Sequence, residues 1–229
     1  MFRKICVWAA VFAITSASAQ DDPQKILPCA FVDLVVIFDR SGSMQDPQKN
    51  ELTKRGMVDF STDYALSRAN GLQIGIGIFT AVPRILAELT DDRKALVTAM
   101  KHFPTPSKGT SITAGMSVAR DIFLDQLTDP SQEHRRKAKK VLVFFSDGES
   151  DEGDFSTARS IALDLSIGTW AEEEDENIPV TIHVVRASSK GRDSSNDASM
   201  SSLASPDGIY LVGSYERVYD YLRRFNICG

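Results

Sequence analysis

Asp39-Arg40-Ser41-Gly42-Ser43 follows directly on Leu34-Val35-Val36-Ile37-Phe38, so a string of oxygen-bearing side chains stands at the end of an unbroken apolar run. A run that is apolar and β-branched at successive positions, not alternate ones, is the pattern of a central strand covered on both faces. The pattern recurs at residues 74–79, 141–145 and 180–185. Between these runs the apolar period lengthens to that of a helix. Met57, Phe60 and Tyr64 fall at i, i+3 and i+7, and Ile112, Met116, Ala119 and Phe123 at i, i+4, i+7 and i+11. No linker rich in Pro, Gly or Ser divides the chain. Strands alternating with helices then predict one α/β domain, doubly wound, with a mostly parallel six-stranded sheet and helices on both faces. Residues 84–88, close behind Pro83, are expected as a short antiparallel edge strand and residues 208–212 as a last short strand. Residues 215–225 read as a closing helix with Val218, Leu222 and Phe225 on one face.

In such a sheet, ligands bind beyond the carboxyl ends of the strands. Three polar loops fall there: the one from Asp39 to Ser43, then Lys108-Gly109-Thr110-Ser111 ahead of the Ile112 helix, then Ser146-Asp147-Gly148 after the third apolar run. Alternation of Asp39, Ser41 and Ser43 would aim all three side chains to one side of an extended backbone. Carboxylates and hydroxyls are hard donors suited to Mg²⁺, Mn²⁺ or Ca²⁺, and without His or Cys in these loops a zinc or iron site is disfavoured. The same residue types also cap helix N-termini, and for each loop taken singly capping accounts for them.

The chain begins with Arg3 and Lys4, an apolar stretch from Ile5 to Ile14 and a small-residue ending at Ala17-Ser18-Ala19. That is the layout of a secretory leader over residues 1–19, with an apolar stretch too short to span a bilayer. Export implies a secreted, extracellular protein, or a periplasmic one in a Gram-negative bacterium. Loss of Arg3 and Lys4 leaves 24 of the 26 basic residues against 31 acidic ones, about −7 in all. So acidic a chain makes nucleic acid an unlikely partner. Arg135, Arg136, Lys137, Lys139 and Lys140 are expected as a solvated approach to a strand. Glu149, Asp151, Glu152 and Asp154 are expected as a solvated acidic collar, with a second cation site or repulsion of acidic partners as the alternatives. In such a collar Asp154→Ala would leave metal-dependent stabilisation and partner binding nearly intact. The runs at 172–176 and 188–202 read as exposed connections or helix ends. With Cys6 in the leader, Cys29 and Cys228 are the only thiols left in an oxidising compartment, either bridged or both free. They flank the domain, Cys29 in an N-terminal segment at 20–31 and Cys228 in a tail at 226–229.

Taken together, the run at 32–38 with Asp39-Arg40-Ser41-Gly42-Ser43-Met44, the helix start Gly109-Thr110-x-Ile112-x-x-Gly115, and Phe144-Phe145-Ser146-Asp147-Gly148 resemble the von Willebrand factor type A domain. The resemblance covers residues 32–225. It implies a metal-ion-dependent adhesion site in which Asp39, Ser41, Ser43, Thr110 and Asp147 hold Mg²⁺, Mn²⁺ or Ca²⁺ and an acidic residue of a protein partner completes the coordination. The partner would be extracellular matrix, a cell-surface receptor or a complex subunit. Flanking cysteines occur in several extracellular members, in keeping with a Cys29–Cys228 bridge.

Three other functions compete. A scaffold domain would keep the fold without using the ion, although an intact set of five residues argues against it. An aspartate-nucleophile phosphatase would want a second acid two residues after Asp39, where Ser41 stands. A serine hydrolase lacks a G-x-S-x-G elbow, and His102, His134 and His183 bear no recognisable relation to a serine and an acid. The chain is therefore expected not to be an enzyme.

Overall fold

All eight residues of β1 (Val32–Asp39) are buried. The strand is central, pairing in parallel with β2 (Leu72–Phe79) on one side and β4 (Lys139–Ser146) on the other. In the computed structural model the described residues are 31–45, 50–51, 54–55, 58, 71–148, 150, 152–171, 177–187 and 197–213. The leader at 1–19, Cys29 and Cys228, the Met57-Phe60-Tyr64 stripe, Glu149, Asp151, the acidic run at 172–176 and the closing helix at 215–225 lie outside them.

The sheet has six strands in the order β3-β2-β1-β4-β5-β6. β5 (Val180–Ala187) runs parallel to β4, and β6 (Tyr210–Gly213) parallel to β5. β3 (Arg84–Thr90) is antiparallel to β2, with register shifts between Ile74 and Gly77. This is the expected α/β architecture. The antiparallel strand extends two residues beyond the expected 84–88, and the last strand starts two residues later than 208.

Side chains alternate across the sheet, and each face has its own core. On one face Val36, Phe38, Ile76 and Val143 pack with Leu96 and Met100 of α1 (Arg93–Lys101). On the other, Val35, Ile37, Leu142 and Phe144 pack with Ile112, Met116, Ala119 and Phe123 of α2 (Ile112–Thr128). Phe155, Ala158 and Leu165 of α3 (Glu152–Ile167) and Met200 of the short α4 (Asp197–Ser201) complete that face. Gly115 brings α2 onto the sheet, because a Cβ there would lie 2.6 Å from Phe79 and 2.7 Å from Phe144.

At the amino-terminal end of β1 the basic run departs from expectation. Arg135 and Lys140 are buried, not solvated, and both grip the fully buried Asp33. Arg135 Nε donates to Asp33 Oδ1 at 2.9 Å and Lys140 Nζ to Oδ2 at 2.5 Å, while Lys140 also donates to Gln126 Oε1 at 2.6 Å. A counter-charge from β1 makes burial of these cations tolerable. Even so, desolvation lowers the Lys140 pKa despite Asp33.

Candidate metal centre

Because β1, β2 and β4 are parallel and in register, their carboxyl ends lie level, with Phe38 beside Phe145 and Asp39 beside Phe79. Asp39 is the last residue of β1, 1% exposed, and each of its carboxylate oxygens accepts a hydrogen bond. The Ser41 main-chain N–H donates to Oδ1 at 2.7 Å, and the Ser146 hydroxyl donates to Oδ2 at 2.7 Å. The turn that follows, a 3₁₀ segment at Gly42–Gln45, brings the Ser41 and Ser43 hydroxyl oxygens within 2.9 Å of each other.

Ser146 ties the third loop to the first. Its oxygen also accepts from the Gly148 N–H at 2.9 Å, so the chain turns back around Asp147. Gly148 has φ +81°, a left-handed conformation in which glycine is the least strained residue, and a Cβ there would lie 2.9 Å from Met200. Arg186 of β5 braces the loop from below, donating to the Asp147 carbonyl at 3.3 Å and to Asp197 Oδ1 at 2.6 Å.

The second loop is pinned to the first by Arg40, which is fully buried. Its Nε donates to the Pro104 carbonyl at 3.0 Å, a terminal nitrogen donates to the same carbonyl and to Asn50 Oδ1 at 2.7 Å, and the guanidinium lies 4.4 Å from the Phe103 ring centroid. The Ser107 N–H returns a bond to the Arg40 carbonyl at 3.0 Å. Burial lowers the Arg40 pKa to about 10, against the opposing attraction of Asp39. Thr110, half-buried, stands between Gly109 (φ +90°) and Ser111, whose hydroxyl caps α2 by accepting from the Ala114 N–H at 3.1 Å.

Asp154 occupies a place that contradicts the expected solvated collar. From the first turn of α3 its Oδ1 accepts from the Ser111 hydroxyl (2.9 Å) and the Thr113 N–H (3.1 Å), and its Oδ2 from the Ile112 N–H (2.5 Å) and the Ser150 hydroxyl (2.6 Å). The first amides of α2 thus find their acceptor on another helix. Burial works against the charge, but the bonds from Ser150, Thr113 and Ser111 prevail and the Asp154 pKa is lowered.

Of the five candidate residues, Asp39, Ser41 and Ser43 are drawn together by short contacts, and Asp147 is close enough to repel Asp39. Burial first, and Asp147 second, push the Asp39 pKa up to about 6, against hydrogen bonds from Ser41 and Ser146. No described hydrogen bond joins Thr110 to the other four; its loop is held beside theirs by Arg40. Capping, the competing account of these loops, applies to Ser111, and Asp39 makes the comparable bond to the Ser41 amide ahead of the turn at Gly42–Gln45. Among the described residues no three His, Cys, Asp or Glu side chains converge. Two carboxylates with neighbouring hydroxyls are a donor set for a small hard dication, and the buried Asp39 carboxylate repelled by Asp147 fits one. Sequence reasoning assigns no role to Arg40, Ser146 or Arg186, and places Asp154 only in the acidic collar. Ser146 and Arg40 stood inside the quoted loops, whereas Asp154 and Arg186 carry no local signal.

A mostly parallel six-stranded sheet with helices on both faces and polar loops at the carboxyl ends of its central strands is an open-sheet α/β architecture. The chain matches the von Willebrand factor type A domain over residues 34–149 and belongs to that family. Similar solved structures include BatB from Bacteroides thetaiotaomicron, at TM-score 0.55 and 16% identity, with 84% of this chain and 98% of that one covered. The pilus adhesin SpaC from Lactobacillus rhamnosus GG has TM-score 0.61 and 16% identity, covering 86% of this chain and 30% of that one. Proximal thread matrix protein 1 from the mussel byssus, with a zinc-occupied MIDAS motif, has TM-score 0.55 and 18% identity, covering 85% and 44%. This chain thus spans less than half the length of the latter two, and at these identities the likeness is one of fold. Comparison with curated proteins finds no match. Among the described residues no helix is long and apolar enough to cross a membrane.

Proposed function

We propose that this chain is a secreted protein-binding and adhesion domain that takes hold of an acidic residue on a partner protein through a divalent cation, Mg²⁺, Mn²⁺ or Ca²⁺, held by Asp39, Ser41, Ser43, Thr110 and Asp147. The observation that carries the reading is the state of Asp39: a buried carboxylate at a strand end, facing a second carboxylate, with its pKa pushed up to about 6. A fixed acid pair of this kind is relieved by a cation. The ion would supply a positive field that a carboxylate from outside can complete, since a dication held mainly by neutral hydroxyls, with the two aspartates acting partly through bound water as in the family, would keep much of its field. The chain's own residues do the rest. Ser146 and the Ser41 amide orient Asp39, Arg40 holds the second loop against the first, and Gly148 and Arg186 set the turn around Asp147.

A zinc-occupied MIDAS in the mussel protein and the adhesin character of the pilus protein are consistent with this reading. Water-proton relaxation on Mn²⁺-titrated protein tests it. The account expects enhanced relaxivity on Mn²⁺ binding, a fall when millimolar glutarate is added as the carboxylate, and neither in Asp39→Ala. Enhancement that glutarate leaves unchanged would argue for a domain that holds the ion without offering it to a partner.

A further inference from the structure

The connection from β2 to β3 meets both the loop of Asp39 and the loop of Thr110. At its base the Phe79 carbonyl accepts from the Arg40 N–H at 2.8 Å. Further along, Ala81 is seated against Gly109, where a Cβ would lie 2.8 Å from the Ala81 Cβ and 3.6 Å from its Cα. Gly109 immediately precedes Thr110 and Ala81 immediately precedes Val82. With consecutive Cα atoms about 3.8 Å apart, Val82 therefore stands within about 13 Å of Thr110, Cα to Cα.

The tip of this connection is apolar where water would favour polar residues. Ala81, Val82 and Pro83 are consecutive and all exposed, Val82 to 65%. A run of exposed apolar residues is a liability for a folded domain unless it serves a contact. The tip is also held in place. The Val82 N–H donates to the Thr80 hydroxyl oxygen at 3.1 Å, and that hydroxyl donates to the Val82 carbonyl at 3.2 Å. Pro83 fixes its own φ, and Arg84 opens β3 by pairing with Ile78. An exposed valine is thus set at a defined place beside the loop of Thr110.

We propose that the Ala81-Val82-Pro83 tip determines the specificity of the cation site, selecting partner segments in which an aliphatic side chain lies within four residues of the acidic residue that meets the ion. The inference rests on the cation-mediated reading above and adds the partner's second requirement. An extended segment advances about 3.3–3.6 Å per residue, so four residues span the distance from Thr110 to Val82. A carboxylate flanked by polar residues meets the ion and leaves Val82 in water. An aliphatic neighbour covers it, at about fourfold in affinity for each methylene buried. A bilayer is the poorer occupant, because one valine between alanine and proline offers far less apolar carbon than a membrane anchor needs.

Synthetic nonapeptides with a central Asp in a Gly/Ser background, and a single Leu walked from one to four residues on either side, test the tip. Their binding to the Mn²⁺-loaded protein is read from the fall in water-proton relaxivity. At one or more Leu positions binding should tighten by about fivefold or more over the peptide without Leu. Val82→Ser should lose that gain while responding to glutarate like the wild type, and Val82→Ile should keep it. Val82 is exposed, so both variants should melt like the wild type. In the Mg²⁺-loaded protein, nuclear Overhauser contacts should join the peptide's Leu methyls to those of Val82. No preferred Leu position, an equal preference in Val82→Ser, absence of those contacts, or Val82-dependent sedimentation with phosphatidylserine vesicles in place of peptide selectivity would each overturn the proposal. A response to glutarate without any Leu preference removes the role of the tip alone, whereas no response to glutarate removes the carboxylate-binding reading and the tip with it.

Discussion

Asp154 Oδ1 accepts a hydrogen bond from the Ser111 hydroxyl at 2.9 Å, so the first turn of α3 supplies the cap for α2, whose leading residues follow directly on Thr110. Replacing Asp154 by Ala removes acceptors from the Ile112 and Thr113 amides as well. A cost of about 2 kcal/mol is expected, or a fall in Tm of roughly 4–8 °C. The sign with pH follows from its lowered pKa: the contribution is complete at neutral pH and is lost only as pH falls below the ordinary aspartate value of 3.8. Urea melts of Asp154→Ala and wild type at pH 7 and pH 3 measure this, and a gap that stayed constant would contradict the cap.

Asp39 has the opposite sign. Its folded pKa of about 6 lies above the ordinary 3.8, so at pH 7 without metal its charge opposes folding, and that cost disappears as pH falls through about 6 toward 4. Two pKa units correspond to roughly 3 kcal/mol. Asp39→Asn, which can still accept from the Ser41 amide, should therefore be more stable than wild type in EDTA at pH 7, with the advantage fading by pH 4. Buried His183, its pKa lowered to about 4 by desolvation and by Lys139, loses stability on acidification in both proteins, and the comparison cancels it. Denaturant melts of the pair across pH 4–7 supply the measurement.

Legibility from sequence followed the range of each interaction. The unbroken apolar run of β1 and the Ile112-Met116-Ala119-Phe123 stripe of α2 announce their burial locally, and all are core. The loops of Asp39 and Asp147 were legible because they directly follow such strands. What escaped was long-range pairing between polar groups. Arg135 and Lys140 look like a solvated basic run until Asp33, 102 and 107 residues away, is seen to hold them. Asp154 looks like one acid among several until the fold sets it against the amides of α2, some 42 residues earlier. Periodicity reports which face a residue occupies and says nothing of a charge's partner across the fold.

Removal of Asp33 should therefore be costly. Asp33→Ala would leave Arg135 and Lys140 buried without a counter-charge, and about 3–5 kcal/mol is expected to be lost. Urea denaturation at pH 7 checks this, with Lys137→Ala, at an exposed neighbour, as the control expected to change stability by less than about 1 kcal/mol.

Arg40 predicts a separation between folding and ion binding. Arg40→Met keeps much of the packing on Phe103 but leaves the Pro104 carbonyl without its donors, costing about 1–3 kcal/mol. It also frees the loop of Thr110, so ion affinity should fall while Asp39, Ser41 and Ser43 remain intact. Arg40→Lys, which can still reach one acceptor, should recover part of both. Full ion affinity in Arg40→Met would show that the loop is held by other means.

The central claim is that Asp39 and its neighbours hold a divalent cation, and calorimetric titration of Mg²⁺, Mn²⁺ and Ca²⁺ into the purified protein, beside Asp39→Ala and Thr110→Ala, tests it most directly. The account predicts saturable binding of one ion, none in Asp39→Ala, weakened binding in Thr110→Ala, and stabilisation of the wild type by about 2.7 kcal/mol at a hundred times the dissociation constant. Absence of binding by millimolar ion, or an Asp39→Ala variant that binds like the wild type, would contradict it.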